Sequence, residues 1–183
     1  MAVLIEGISV VIRCEQIVKA YYGGVNAFAS EVPNGSLRAD GKLACVTFMT
    51  PDDVQKYVSH LEQRGLVYLN SKAAIDLVVV DQRAGLCAPC DWVVFGQSYW
   101  NNDSNKPISI CSTSVNEAQK VVVPNGWVFE KSLSARMIFI ENGKVPTNLK
   151  LITQENGVDV YQDSETGEKF YVGRVFQSTD EDF

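Results

Sequence analysis

Histidine is almost missing from this chain: His60 is the only one in 183 residues. Imidazole-rich metal sites need two or three such ligands and are excluded on that count. A His-centred catalytic arrangement would rest on His60 alone, and helical periodicity puts that residue on the flank of an amphipathic helix, facing solvent. Long apolar runs are missing too. The run at 77–80 is far below the roughly 18 residues needed to cross a bilayer. Residues 1–11 carry Glu6 and no basic residue, so no secretory leader is expected. Basic clusters are also absent. Sixteen Lys and Arg stand against 22 Asp and Glu, for a net charge of −6, which disfavours nucleic acid as a partner. The expected location is the bacterial cytoplasm, with no membrane association.

The common catalytic spacings are missing as well. There is no G-x-G-x-x-G after a strand, no G-x-x-x-x-G-K-[ST], no H-E-x-x-H and no G-x-S-x-G. Nucleotide-binding, zinc-protease and serine-hydrolase signatures are thereby excluded. No cofactor and no catalytic residue is assigned.

What is present is an ordinary globular composition, 46% apolar and 21% charged, which excludes wholesale disorder. Residues 1–177 are expected to form a single α+β domain: a β-α-β-α-β-β part over 1–81, then a β-rich part over 82–177. Residues 178–183, with Asp180, Glu181 and Asp182, read as an acidic tail. The expected architecture is a mixed, mainly antiparallel sheet with two or three N-terminal helices.

Ile8, Val10 and Ile12 alternate with Ser9, Val11 and Arg13 as in a strand. Residues 14–22 place Ile17, Val18 and Tyr21 on one helical face, with Gly23-Gly24 as a stop before a loop through Pro33. Residues 43–49 form a second strand. Thr50, Pro51 and Asp53 are an N-cap, a first helical residue and a capping-box partner, with Met49 and Val54 as a staple. Val54, Tyr57, Val58 and Leu61 make the buried stripe of that helix, and Gly65 ends it. Residues 66–69 and 74–80 read as strands around an Asn70-Ser71 turn. Further strands are expected at 92–95, 108–113, 121–123, 137–140, 149–153, 158–161 and 169–172, with Glu165-Thr166-Gly167 closing a hairpin.

Three constellations carry possible chemistry. Cys87-Ala88-Pro89-Cys90 has the spacing of two metal-binding or redox thiols, but no second ligand pair exists and the segment enters a strand rather than a helix. A Pro-stiffened turn with partly buried thiols is the favoured reading, so no metal is assigned to Cys87 and Cys90. Asp76 and Asp81 are the most pointed carboxylates and serve equally well as turn residues. The third constellation runs through Trp92, Tyr99 and Trp100 into the polar loop at 101–105. Aromatic side chains beside a hydrogen-bonding turn suit a protein interface, and a core hairpin is the competing reading. Asp91, Trp92, Tyr99, Trp100, Asn101 and Asp103 are the candidate partner-binding residues.

Asp81-Gln82, Pro89-Cys90-Asp91-Trp92 and Phe95-Gly96, with the helix start from Met49 to Val54, resemble a family of small bacterial cytosolic proteins similar to immunity partners of polymorphic toxins. The resemblance covers about the first hundred residues. It implies a non-enzymatic protein-binding module that occludes a toxin domain encoded nearby. The alternative is a small enzyme or a ligand- or metal-binding domain with a pocket near Cys87 and Cys90.

Overall fold

The computed structural model describes residues 1–115, 120–136, 148–155, 158–167 and 169–173. Its organising feature is one extended segment shared by two sheets. β1 (Ala2–Ile5) and β2 (Ile8–Arg13) follow each other across Glu6-Gly7 but belong to different sheets. β2 is central in a five-stranded antiparallel sheet with β3 (Arg38–Ala39), β4 (Leu43–Phe48), β7 (Leu77–Asp81) and β8 (Gly85–Leu86), in the order β3-β4-β2-β7-β8. β1 lies in a four-stranded sheet with β9 (Val94–Tyr99), β10 (Pro107–Ser112) and β11 (Val121–Val122), in the order β11-β1-β10-β9. Only the β1/β11 pair there is parallel.

Strand alternation assigns each face. In β2, β4 and β7, residues Ile8, Val10, Ile12, Val46, Leu77 and Val79 point to a helical layer. That layer is α1 (Cys14–Ala20), α2 (Gly24–Glu31) and α3 (Pro51–Gln63), which supply Ile17, Phe28, Val54, Tyr57 and Leu61. The opposite faces, with Val11, Cys45, Val78 and Val80, meet Val3, Ile5 and Cys111 of the second sheet. That sheet's outer face, Ala2, Leu4, Ile108 and Ile110, is covered by Phe129 and Trp127. The uninterrupted run in β7 is thus buried on both sides by helices and by a second sheet, although its neighbours are antiparallel. Each fully buried aliphatic side chain contributes roughly 1.5–3 kcal/mol.

The fold is α+β with mixed, mostly antiparallel sheets, helices early and strands late, in line with the sequence reading. Several elements differ. β1 lacks alternation because both of its faces are buried, so periodicity does not mark it. α1 ends at Ala20, with Tyr21 already extended, so the glycine pair is not its stop; Gly23, at φ +89°, is instead the N-cap of α2, a second helix where a loop was expected. Val18 is exposed on α1, whereas Ile17 and Tyr21 are buried. The strand expected at 66–69 shrinks to β5 (Leu69–Asn70), which pairs with β6 (Ala73–Ala74) around Ser71 and Lys72, both at positive φ.

α3 is capped by Thr50 as expected, whereas Met49, the expected staple residue, is exposed. Thr50 Oγ1 accepts from the Asp53 N–H at 3.2 Å and donates to Asp53 Oδ2 at 2.9 Å, with Pro51 in the first turn. Its end is a Schellman turn: Leu66 N–H donates to Leu61 O at 3.1 Å and Gly65 N–H to Glu62 O at 3.0 Å. Gln55, Lys56, Ser59, Glu62 and Gln63 are exposed, as the stripe requires.

α4 (Leu133–Arg136) is a short helix near the β1/β2 junction. A separate meander follows: β12 (Leu149–Glu155), β13 (Val158–Asp163) and β14 (Lys169–Gly173), in that order. The Asp163 carboxylate accepts from the N–H groups of Glu165 and Thr166 at 2.7 and 3.1 Å in the expected hairpin turn. The strand expected at 137–140 and the tail at 178–183 lie outside the described residues.

The two pointed carboxylates act as backbone acceptors. Asp76 Oδ2 accepts from Val67 N–H at 2.8 Å, and Asp81 Oδ1 accepts from the N–H groups of Arg83 and Ala84 at 2.8 and 2.7 Å. Burial pushes the Asp81 carboxyl above its usual range, against the opposing pull of those N–H groups and of Arg83. The native state therefore holds this proton more tightly than the unfolded chain. Its contribution is full below the ordinary carboxylate pKa and is lost as pH rises through the folded value.

Two outcomes are expected. Gly7→Ala destabilises by about 2–3 kcal/mol in urea unfolding, because φ is +53° and a Cβ would stand 2.6 Å from the Phe48 carbonyl oxygen. Asp81→Asn, which keeps the Oδ1 acceptor, is more stable than wild type near neutral pH, and thermal melts show the advantage vanishing below about pH 4.

Candidate functional site

β9 separates the candidate partner-binding residues into two groups. Asp91 and Trp92 precede it; Tyr99 ends it, and Trp100, Asn101 and Asp103 form the turn that follows. A six-residue strand spans about 20 Å, so the groups sit at opposite ends of one edge rather than in one patch. The tryptophans are anchors. Trp92 Nε1 donates to the Ala74 carbonyl at 3.1 Å, with the Arg13 guanidinium 5.7 Å over its ring, and it packs on the core between the sheets. Trp100 meets Trp127 edge-to-face at 4.8 Å on the outer core. Asp91, Tyr99 and Asn101 remain exposed.

The turn after β9 is tightly specified. Asn101 and Asn102 both take positive φ, 52° and 58°. Asp103 Oδ1 accepts from the N–H and the side-chain amide of Asn105 at 3.0 and 3.1 Å, and Trp100 N–H donates to Lys106 O at 2.8 Å. β9 itself, Val-Phe-Gly-Gln-Ser-Tyr, carries no charge and no proline. It is the outermost strand of its sheet, bonded to β10 on one side and to no described strand on the other.

Cys87 and Cys90 are free. Cys87 is an exposed residue and Cys90 a half-buried one, but the Cys87 Sγ turns back toward the Gly85 carbonyl at 3.9 Å, and partial desolvation there, with Asp81 second, pushes its pKa up to about 11. Burial likewise raises Cys90. Protonated thiols neither attack disulfides nor ligate metals readily. Among the described residues no group of three His, Cys, Asp or Glu side chains is placed to hold a metal ion.

One polar cluster was not legible in the sequence. Glu31, at the end of α2, accepts at Oε2 from Tyr21 Oη at 2.6 Å, Arg64 Nε at 2.7 Å and His60 Nε2 at 3.1 Å, while Arg64 Nη2 also reaches Oε1. His60 Nε2 lies 3.2 Å from Tyr21 Oη, and the imidazole stacks on Tyr57 at 6.3 Å. His60 is thus half-buried and tethered, rather than pointing freely to solvent as its helical position suggests. The i,i+4 pair His60 and Arg64 was readable from α3. Their partner was not, because Glu31 belongs to a helix that the glycine pair concealed.

Beside this cluster is a cleft of about 470 Å³. Glu31 and Pro33 form one wall, Phe48 the end of β4, and Asp53, Lys56, Tyr57 and His60 the face of α3. Cys87 and Cys90 are not among its walls. Tyr57 is buried, and its hydroxyl has no hydrogen-bond partner among the described residues.

No protein-family model, no curated protein and no solved structure matches this chain. Its class is therefore defined by its own architecture, two packed sheets with a helical layer on one of them. No helix among the described residues is long and apolar enough to cross a membrane.

The Cys87 thiol has an expected behaviour. Its pKa of about 11, against an ordinary 9.0, leaves roughly a hundredfold less thiolate near pH 8. The greater nucleophilicity of that thiolate offsets part of the deficit. Iodoacetamide should modify Cys87 about tenfold more slowly than a free cysteine peptide, with the rate still rising above pH 10, as followed by peptide mass spectrometry.

Proposed function

We propose that this chain is a non-enzymatic protein-binding module and, within that class, an immunity protein that neutralises a cognate bacterial toxin domain encoded nearby by occluding it. The observation that carries the reading is β9: an outermost strand with no charge and no proline, flanked at both ends by aromatic anchors. Edge strands are ordinarily protected by lysine, proline or a bulge, because their unpaired backbone groups accept a further strand. An edge lacking these devices offers main-chain hydrogen bonds to an extended partner segment, and Tyr99 adds a large side chain of low conformational entropy. The net charge of −6 favours approach of a basic partner.

Co-expression with the product of the adjacent gene should give a stable complex in size-exclusion chromatography and abolish that product's toxicity. The double variant Gln97→Lys/Ser98→Lys, which places charges on the edge strand, should weaken the complex at least about tenfold with an unchanged melting temperature. Absence of a complex with any neighbour-encoded protein overturns the function. A complex indifferent to the two lysines removes β9 as the contact surface.

A further inference from the structure

The cleft on the helical layer faces away from β9, and what it does is independent of the partner-binding reading. At about 470 Å³ it falls within the range of small-molecule sites. Its walls define the chemistry of an occupant. Phe48 and Tyr57, with ring centroids 5.1 Å apart and tilted by 43°, give it an aromatic side. Its half-buried charge is already matched, Glu31 by Arg64, while Asp53 and Lys56 lie 3.8 Å apart and are both exposed to solvent. A charged ligand would have to compete with the Glu31–Arg64 pair, whereas an uncharged one would not.

His60 supplies the directional contact. Its Nε2 is committed to Glu31 and Tyr21, which fixes the hydrogen on that nitrogen, since the carboxylate can only accept. In the neutral ring Nδ1 is then a bare acceptor, and no described residue donates to it. A carboxylate that orients one imidazole nitrogen and leaves the other open is the arrangement by which proteins present a histidine to a hydroxyl group. We propose that this cleft binds a small, uncharged, hydroxylated aromatic compound, with its ring against Phe48 and Tyr57 and its O–H donating to Nδ1 of His60. Glu31 is the positioning residue for that imidazole.

Because His60 is the only histidine, its nitrogens are directly readable by long-range proton–nitrogen NMR of the full-length protein. The neutral ring should be the Nε2–H form. Phenol should shift the Nδ1 resonance saturably while Nε2 moves little, and anisole, which has the same ring but no donor, should bind about tenfold more weakly, the worth of one hydrogen bond. Glu31→Gln should mix the two tautomers and weaken phenol binding, an effect that a merely packing role for Glu31 would not produce. An Nδ1–H ring, no saturable shift with about 10 mM phenol, or equal responses to phenol and anisole would each overturn the proposal.

Discussion

The buried carboxylate of Glu6 stands where the chain passes from one sheet to the other, and among the described residues it is held only by neutral donors. Oε1 accepts from Ser134 N–H and Oγ at 2.9 and 2.7 Å, and Oε2 accepts from Trp127 Nε1 at 3.1 Å. Removing such a charge from water costs several kcal/mol, so these donors must be in place for the crossing to be tolerated. The next residue makes the turn: Gly7 at φ +53° donates to Gln82 Oε1 at 2.8 Å and accepts from Gln82 N–H at 2.9 Å. A kink between two neighbouring strands thus depends on groups 75 to 128 positions away.

Arg38 completes the same seam from the other side. It is 3% exposed, and its guanidinium donates to Leu4 O at 2.7 Å, Ser36 O at 2.8 Å and Thr47 Oγ1 at 2.9 Å, with Ser9 Oγ at 3.3 Å. Among the described residues, carbonyl and hydroxyl oxygens rather than a carboxylate balance this cation. The two sheets are therefore registered by directed hydrogen bonds as well as by aliphatic packing. Shape alone would allow sliding; a satisfied polar seam does not.

The layered arrangement separates the two functional surfaces. β9 lies at the free edge of the sheet farther from the helices, and its aromatic flanks are seated on two different cores. The cleft lies on the helical side, where α2 and α3 bring together a carboxylate, a guanidinium, a phenol and the sole imidazole. One surface offers backbone groups to an extended segment; the other offers a single oriented acceptor to a small molecule. Because the five-stranded sheet stands between them, each is testable without the other.

Much of the scaffold was legible in local sequence. Thr50-Pro51-x-Asp53 specifies the start of α3 and Gly65 its end, because caps and φ preferences are decided within four or five residues. Alternation marks β2, and a continuous apolar run marks β7 as doubly buried, because side-chain direction repeats every two residues whatever the strand's partner. The polar turn at 101–105 was likewise readable, whereas the strand before it, expected at 92–95, runs from Val94 to Tyr99. What spacing does not encode is which distant groups meet. Glu6 gives no local sign that Trp127 and Ser134 will satisfy it, nor Glu31 that it will anchor His60, nor Val94 to Tyr99 that they will lie at an edge. Those outcomes are set by burial, which makes an unpaired polar group costly and so selects the tertiary pairing that satisfies it.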